Sequence, residues 1–173
     1  PSVQEAVEAQ GGVAIGDLPP WEIPFLSDPE QLREADYDTV IVTVKTFAVE
    51  EALAEVASLG LRFRHLVAFQ NGWGTEEAYR RRFPDHVLWV LTTTRAIGVE
   101  GPGRLRPSDR GGLAVAPWFH KGGSVDLPFS LRRVPLPLHF IKHGPELRWS
   151  KLLLNLIGNA TGAVVGLPPN RLA

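Results

Sequence analysis

Asp38-Thr-Val-Ile-Val-Thr-Val44 is a nearly unbroken run of β-branched residues. A strand with one wet face alternates apolar and polar side chains, whereas a run without alternation reads as a parallel strand buried on both faces. The stretch is therefore expected at the centre of a sheet. Downstream, Val49 to Leu59 carries apolar residues at helical spacing and stops at Gly60, and His65-Leu-Val-Ala-Phe69 returns as a strand. Thr75 to Arg82 is a short helix closed by Pro84, and His86-Val-Leu-Trp-Val-Leu-Thr92 is the next strand. This alternation predicts an α/β domain with a mostly parallel sheet.

Upstream, Ser2 to Gln10 reads as the end of a helix stopped by Gly11-Gly12, with Val13-Ala-Ile15 as a short strand. Ile23 to Leu26 is a second short strand, and Ser27-Asp-Pro-Glu-Gln-Leu32 a capped helix start with Pro29 in its first turn. After Thr94 the texture changes to short runs punctuated by Gly and Pro. Arg104-Leu-Arg106 and Gly112-Leu-Ala-Val-Ala116 predict an antiparallel extension without helices. A helical pattern resumes at Glu146 and ends before Pro168-Pro169, which places a domain boundary near His143 to Pro145, dividing 1–143 from 144–173. The chain has no Met, opens on Pro1 and ends on Gly-Leu-Pro-Pro-Asn-Arg-Leu-Ala173, so it is expected to be the middle of a longer protein.

Of the 173 residues, 18 are Lys or Arg and 19 Asp or Glu, a formal net charge of −1 with no basic footprint for nucleic acid. The densest basic cluster, Arg80-Arg81-Arg82, follows Glu76-Glu77 and is expected to form a solvated, ion-paired helix face. No Cys is present, which removes disulfides and thiolate chemistry and fits a reducing, cytoplasmic compartment. No apolar run approaches the roughly 18 residues of a membrane span. The five His show no pair at metal-ligand spacing with supporting carboxylates, and we expect no metal.

Two sets of residues point to chemistry. In Trp149-Ser-Lys-Leu-Leu-Leu-Asn-Leu-Ile-Gly-Asn159, the residues Lys151, Asn155 and Asn159 recur every four positions on an otherwise apolar segment. On a helix they drift only about 80° while climbing about 12 Å, so they share one face. Burying an ammonium and two carboxamides is unfavourable unless each finds a partner. A substrate bearing a carboxylate or carbonyl and hydroxyls would satisfy them; interhelical polar packing is the alternative. The second set follows the strands: Lys45 after Val44, Asn71 in Phe69-Gln-Asn-Gly-Trp-Gly74, and Thr92-Thr-Thr-Arg-Ala-Ile97. Ligands of open parallel sheets bind at carboxyl ends of strands, where Lys meets ribose or phosphate and Gly lets backbone approach a flat ring. A solvated Lys and an ordinary Asn-Gly turn are the alternatives there.

Val42-Thr-Val-Lys45-Thr, Gln70-Asn71-Gly72-Trp-Gly74, Thr92-Thr-Thr-Arg-Ala96 and the Lys151, Asn155, Asn159 stripe occur in the order and rough spacing of the 2-dehydropantoate 2-reductases, or ketopantoate reductases, which this chain resembles over most of its length. The resemblance implies a Rossmann-like domain with an antiparallel extension that leads into an all-α C-terminal domain, largely absent here. It implies NADPH-dependent reduction of 2-dehydropantoate to (R)-pantoate for pantothenate synthesis. By position it implies Lys151 as general acid, Asn155 and Asn159 as substrate ligands, and Lys45, Asn71 and the Ile97 backbone as cofactor contacts. The Gly-x-Gly-x-x-Gly turn that grips a pyrophosphate would precede Pro1. A homodimer built through the helical domain is also implied, and a fragment of this extent is expected to be inactive alone. Two other readings remain open: a reductase of another 2-oxo acid or an imine, and a non-catalytic dinucleotide-sensing protein.

Overall fold

The computed structural model describes residues 2–22, 24, 26, 28–120, 125–132 and 136–166. Ser2 caps the first helix, α1 (Val3–Ala9), with a capping box: its hydroxyl accepts from the Glu5 amide at 3.2 Å, and its own amide donates to the Glu5 carboxylate at 2.7 Å. The helix thus starts at Ser2, where the sequence suggested only a helix end. It is followed by β1 (Ala14–Ile15), β2 (Asp36–Val42), α2 (Val49–Leu59), β3 (Arg62–Ala68), α3 (Glu76–Arg82) and β4 (Val87–Thr93). Then come β5 (Ile97–Gly101), β6 (Arg104–Pro107), β7 (Leu113–Phe119), α4 (Phe129–Arg132), β8 (Leu138–Phe140), α5 (Gly144–Asn155), a π turn (Leu156–Ala160) and α6 (Thr161–Val165).

Five strands form the main sheet in the order β2-β3-β4-β7-β8. β2, β3 and β4 are parallel, β7 joins β4 antiparallel, and β8 runs parallel to β7. A second sheet, β1-β6-β5, holds the hairpin of β5 and β6 with β1 parallel to β6. This is the expected α/β sheet with its antiparallel extension.

One expectation about the sheet is corrected. Among the described residues β2 stands at the end of the strand order, with Ile41 42% exposed, and not at the centre. β-Branched residues report fitness for a pleated strand and do not count its neighbours. The centre is β4, where Trp89 and Val90 are wholly buried. On one face Leu66, Ala68, Leu88, Val90 and Ala116 pack with Val49 and Leu53 of α2, Tyr79 of α3 and Leu147 of α5. On the other, Val67, Trp89, Leu91 and Val115 pack with Leu131 of α4. Each such buried Val or Leu contributes about 1.5–3 kcal/mol of transfer free energy.

Local signals account for the other boundaries. Gly60 (φ +62°) ends α2, and Arg33 donates to the free carbonyls of Leu59 at 2.6 Å and Ser58 at 3.1 Å. Arg33 belongs to a 3₁₀ segment, Pro29–Glu34, capped by Asp28, whose carboxylate accepts from the Glu30 amide at 3.0 Å. The expected helix start is therefore present with Pro29 in its first turn, but as a 3₁₀ segment. Ile23, Phe25 and Ser27 lie outside the described residues, as does 167–173, while Pro24 and Leu26 belong to no strand. In the stretch expected to lack helices, Pro128 nucleates the single turn α4 by accepting from the Leu131 amide at 3.1 Å. α5 starts at Gly144, with Pro145 in its first turn, where an unused amide costs nothing.

Candidate active site

Parallel pairing brings the carboxyl ends of β2, β3 and β4 to one edge, so the segments after them are neighbours. After β2, Lys45 leads into a single 3₁₀ turn, its carbonyl accepting from the Ala48 amide at 2.9 Å, and its side chain is exposed. After β3, Gly72 (φ +101°) and Gly74 (φ +97°) let the loop turn back on itself, with Asn71 exposed between them and the strand. A Cβ placed on Gly72 would meet Thr46 Cγ2 at 3.8 Å, so the Lys45 and Asn71 loops lie side by side. Ile97, 55% exposed at the start of β5, instead lines a groove of about 620 Å³ with Ile15, Leu18, Trp21, Arg95 and Leu105.

Lys151 and Asn155 are half-buried on α5, and burial pushes the Lys151 ammonium below its ordinary range. Asn159 is exposed, inside the π turn. Straight α geometry would have carried it further round the helix. A π turn rotates each residue by less than an α turn does, and so brings Asn159 back toward the line of Lys151 and Asn155.

The helix bearing the stripe is tied to the strand ends. Trp73, from the Asn71 loop, packs its ring 4.9 Å from that of Trp149 on α5 and 5.4 Å from that of Trp118 on β7. Arg148 Nε donates to Glu76 Oε1 at 2.6 Å, and its other nitrogens donate to the carbonyls of Gln70 and, at 3.3 Å, Ala68. Glu76 Oε2 accepts from the Gly74 amide at 3.1 Å. The Gln70 carboxamide donates to the Val42 carbonyl and accepts from the Tyr79 hydroxyl at 2.9 Å. Burial holds that phenol above its ordinary range, so it stays a donor.

Glu76 corrects the expectation of a solvated acidic and basic helix face. Arg80 and Arg81 are exposed and pair with Glu77 and Glu50, but Glu76 is 1% exposed, its carboxylate paired with the buried Arg148 of α5. Sequence reasoning missed Glu76, Gln70 and Arg148 as members of the site. The available signal was Arg148 itself, a charge between Leu147 and Trp149 one turn before Lys151.

The chemistry of this edge is coherent. An exposed cation, an exposed carboxamide and a loop open enough at Gly74 that a Cβ would meet nothing within 4 Å fit the phosphates and flat rings of a dinucleotide. A half-buried ammonium, held below the ordinary lysine range by burial, lies on the helix clamped above. Among the described residues no group of three or more His, Asp or Glu could hold a metal ion, and no helix is long and apolar enough to cross a membrane.

A mostly parallel sheet with a polar strand-end edge and a lysine-bearing helix docked over it defines a Rossmann-like α/β domain. Residues 7–119 match the family model described as ketopantoate reductase PanE/ApbA, and the chain belongs to that family. The motifs had pointed to the same family. Among curated relatives, the 2-dehydropantoate 2-reductase of Streptococcus pyogenes serotype M1 is 27% identical over 109 residues, covering 62% of this chain and 35% of that protein. The chain thus spans about a third of the length of the curated relatives it matches. The fold is shared with 2-dehydropantoate 2-reductase from Porphyromonas gingivalis W83, at TM-score 0.74 and 16% identity over 96% of this chain and 60% of that one. It is also shared with D-mandelate dehydrogenase in a ternary structure with NADH and anilino(oxo)acetate, at TM-score 0.68 and 17% identity over 95% and 54%.

Proposed function

We propose that the protein carrying this chain is a reductase that uses NADPH to convert 2-dehydropantoate to (R)-pantoate in pantothenate biosynthesis. The observation that carries the reading is Lys151, an ammonium made more acidic by burial, held on a helix that is clamped to the strand-end loop bearing Asn71. When bound, the dinucleotide would supply hydride to the carbonyl carbon. The developing alkoxide then needs a proton, and Lys151 Nζ provides one; the carboxamides of Asn155 and Asn159 hold the substrate's oxygens and orient its carbonyl toward that proton. Lys45 and Asn71 bind the dinucleotide at the sheet edge, with the Ile97 backbone a further contact. Residues 1–143 form part of the dinucleotide domain and 144–173 the start of a helical domain through which the protein forms a homodimer in the cytoplasm.

A second reading has its own support. D-mandelate dehydrogenase shares the fold and is seen with NADH and anilino(oxo)acetate, so another 2-oxo acid and NADH are the competing substrate and cofactor. The experiment is oxidation of NADPH and of NADH by the complete protein with 2-dehydropantoate, 2-oxoisovalerate, pyruvate and benzoylformate, followed by absorbance. Rapid turnover with NADPH and 2-dehydropantoate alone is expected. Preference for another acid moves the substrate and keeps the chemistry, and dinucleotide binding without turnover overturns the enzymatic reading.

A further inference from the structure

We propose that Arg148 and Glu76 form a positioning pair that fixes the Lys151 helix against the Asn71 loop and thereby sets where the Lys151 ammonium lies during the reaction. The proposal rests on the reductase reading of the site and adds to it residues that touch neither cofactor nor substrate. Both side chains are 2% exposed, and the Nε to Oε1 distance is 2.6 Å. Burying two charges is costly, and a well-packed apolar pair often leaves a protein as stable or more so. Stability therefore gives no account of an ion pair here, whereas the directions of its bonds do.

The guanidinium is a rigid fork that reads three acceptors at once. One is Glu76; the others are the carbonyls of Ala68, the last residue of β3, and Gln70, the first of the Asn71 motif. The carboxylate of Glu76 turns back to hold the Gly74 amide. A single pair thus grips the segment Gln70 to Gly74 at both ends, with Asn71 between the grips. Lys151 sits three residues beyond Arg148, one turn along the same side of α5. A shift in the fork therefore translates into a shift of the ammonium relative to Asn71. Gln70 carries the linkage on to Val42, the last residue of β2, three residues before Lys45. The cofactor-side loops and the acid-bearing helix are indexed to each other through side chains 72 residues apart.

The test is made in the complete protein with the double variant Arg148→Met, Glu76→Leu, which removes both charges at similar volume, and with Arg148→Lys, which keeps the charge and loses the fork. The expected result for the double variant is a fall in kcat of at least about 30-fold, as small misplacements of catalytic groups produce. The basic limb of its kcat–pH profile moves upward, because Lys151 is released toward solvent. Arg148→Lys falls between wild type and the double variant, and it carries the test if the double variant does not fold. A folded variant with wild-type kcat overturns the proposal. So does a reduced kcat with an unmoved limb, which reports only a smaller folded fraction.

If the wild-type protein reduces no 2-oxo acid, the functional reading fails and the clamp is judged by amide exchange. Faster exchange in both 70–74 and 148–155 of the variant supports a shared clamp; a change confined to one segment overturns it.

Discussion

Trp89 Nε1 donates to His65 Nδ1 at 3.1 Å across the β3–β4 pair. In the register of these strands His65 faces Val87, so Trp89, two residues on, lies on the same face of the sheet. An Nδ1 that accepts must be unprotonated, and burial holds His65 below its ordinary value of 6.5, with Asp38 opposing and Arg64 adding to the effect. The unfolded chain then binds a proton more readily than the native one. Stability is complete above the ordinary histidine value and is lost as pH falls below 6.5 toward the lowered native value. His86, also lowered by burial, acts in the same sense. Thermal melting at pH 5 should therefore fall below that at pH 7.5. The difference should shrink in His65→Asn, whose carboxamide oxygen stands where Nδ1 does and can accept from Trp89; an unchanged difference would remove His65 from the explanation.

Replacing Lys151 removes the proposed acid but none of the proposed dinucleotide contacts. Lys151→Ala should lower kcat by about 10²-fold or more and leave NADPH affinity nearly unchanged. In the wild type an acid must be protonated to act, so kcat should fall as pH rises through the Lys151 pKa, which lies below the ordinary lysine value of 10.5. Turnover by Lys151→Ala equal to wild type would transfer the acid's role elsewhere.

Lys45 makes the opposite prediction. Its side chain is exposed and would gain a charged partner only when the dinucleotide binds. Lys45→Ala should weaken NADPH binding about tenfold, the scale of one charge-assisted hydrogen bond, with kcat at saturating cofactor little changed. Quenching of tryptophan fluorescence would measure it, since Trp73 belongs to the adjoining loop.

Gly144 sets the approach of α5 to the sheet. A Cβ there would lie 2.6 Å from Trp118 Cε3 and 3.0 Å from the Pro117 carbonyl, both parts of a packed strand. Gly144→Ala should destabilise the fold by about 1–3 kcal/mol, as overpacking does. Because Trp118 and Trp149 share contact with Trp73, the near-UV circular dichroism of the indoles should change with it. A melting temperature within error of wild type would show that the helix can lift freely.

Much of the fold was legible because the signals are local. Periodicity placed α2, β3, α3 and β4, and Gly60 and Pro29 marked ends where the structure has them. Position within the sheet was not, since Val40, Ile41 and Val42 look alike whether one strand or two lie beside them. The strand-end residues could be named because topology sends ligands to that edge. Arg148 and Glu76 could not be paired from sequence, for their partnership spans 72 residues and leaves no periodic trace. Glu76 in particular reads as an ordinary acidic residue at a helix start, a place where exposed carboxylates are common.

The π turn at Leu156–Ala160 also bears on how this chain is compared with its kin. A single wide turn is what one inserted residue leaves in a helix that otherwise keeps its course. A relative whose helix runs straight would match Lys151 and Asn155 position for position, yet beyond Leu156 the same alignment column would hold side chains pointing in different directions. An asparagine aligned with Asn159 need not occupy its place, and a residue one column away can. Family alignments across this segment are therefore to be read by azimuth around the helix, with a gap allowed at the turn, before any asparagine is credited or discounted as a counterpart.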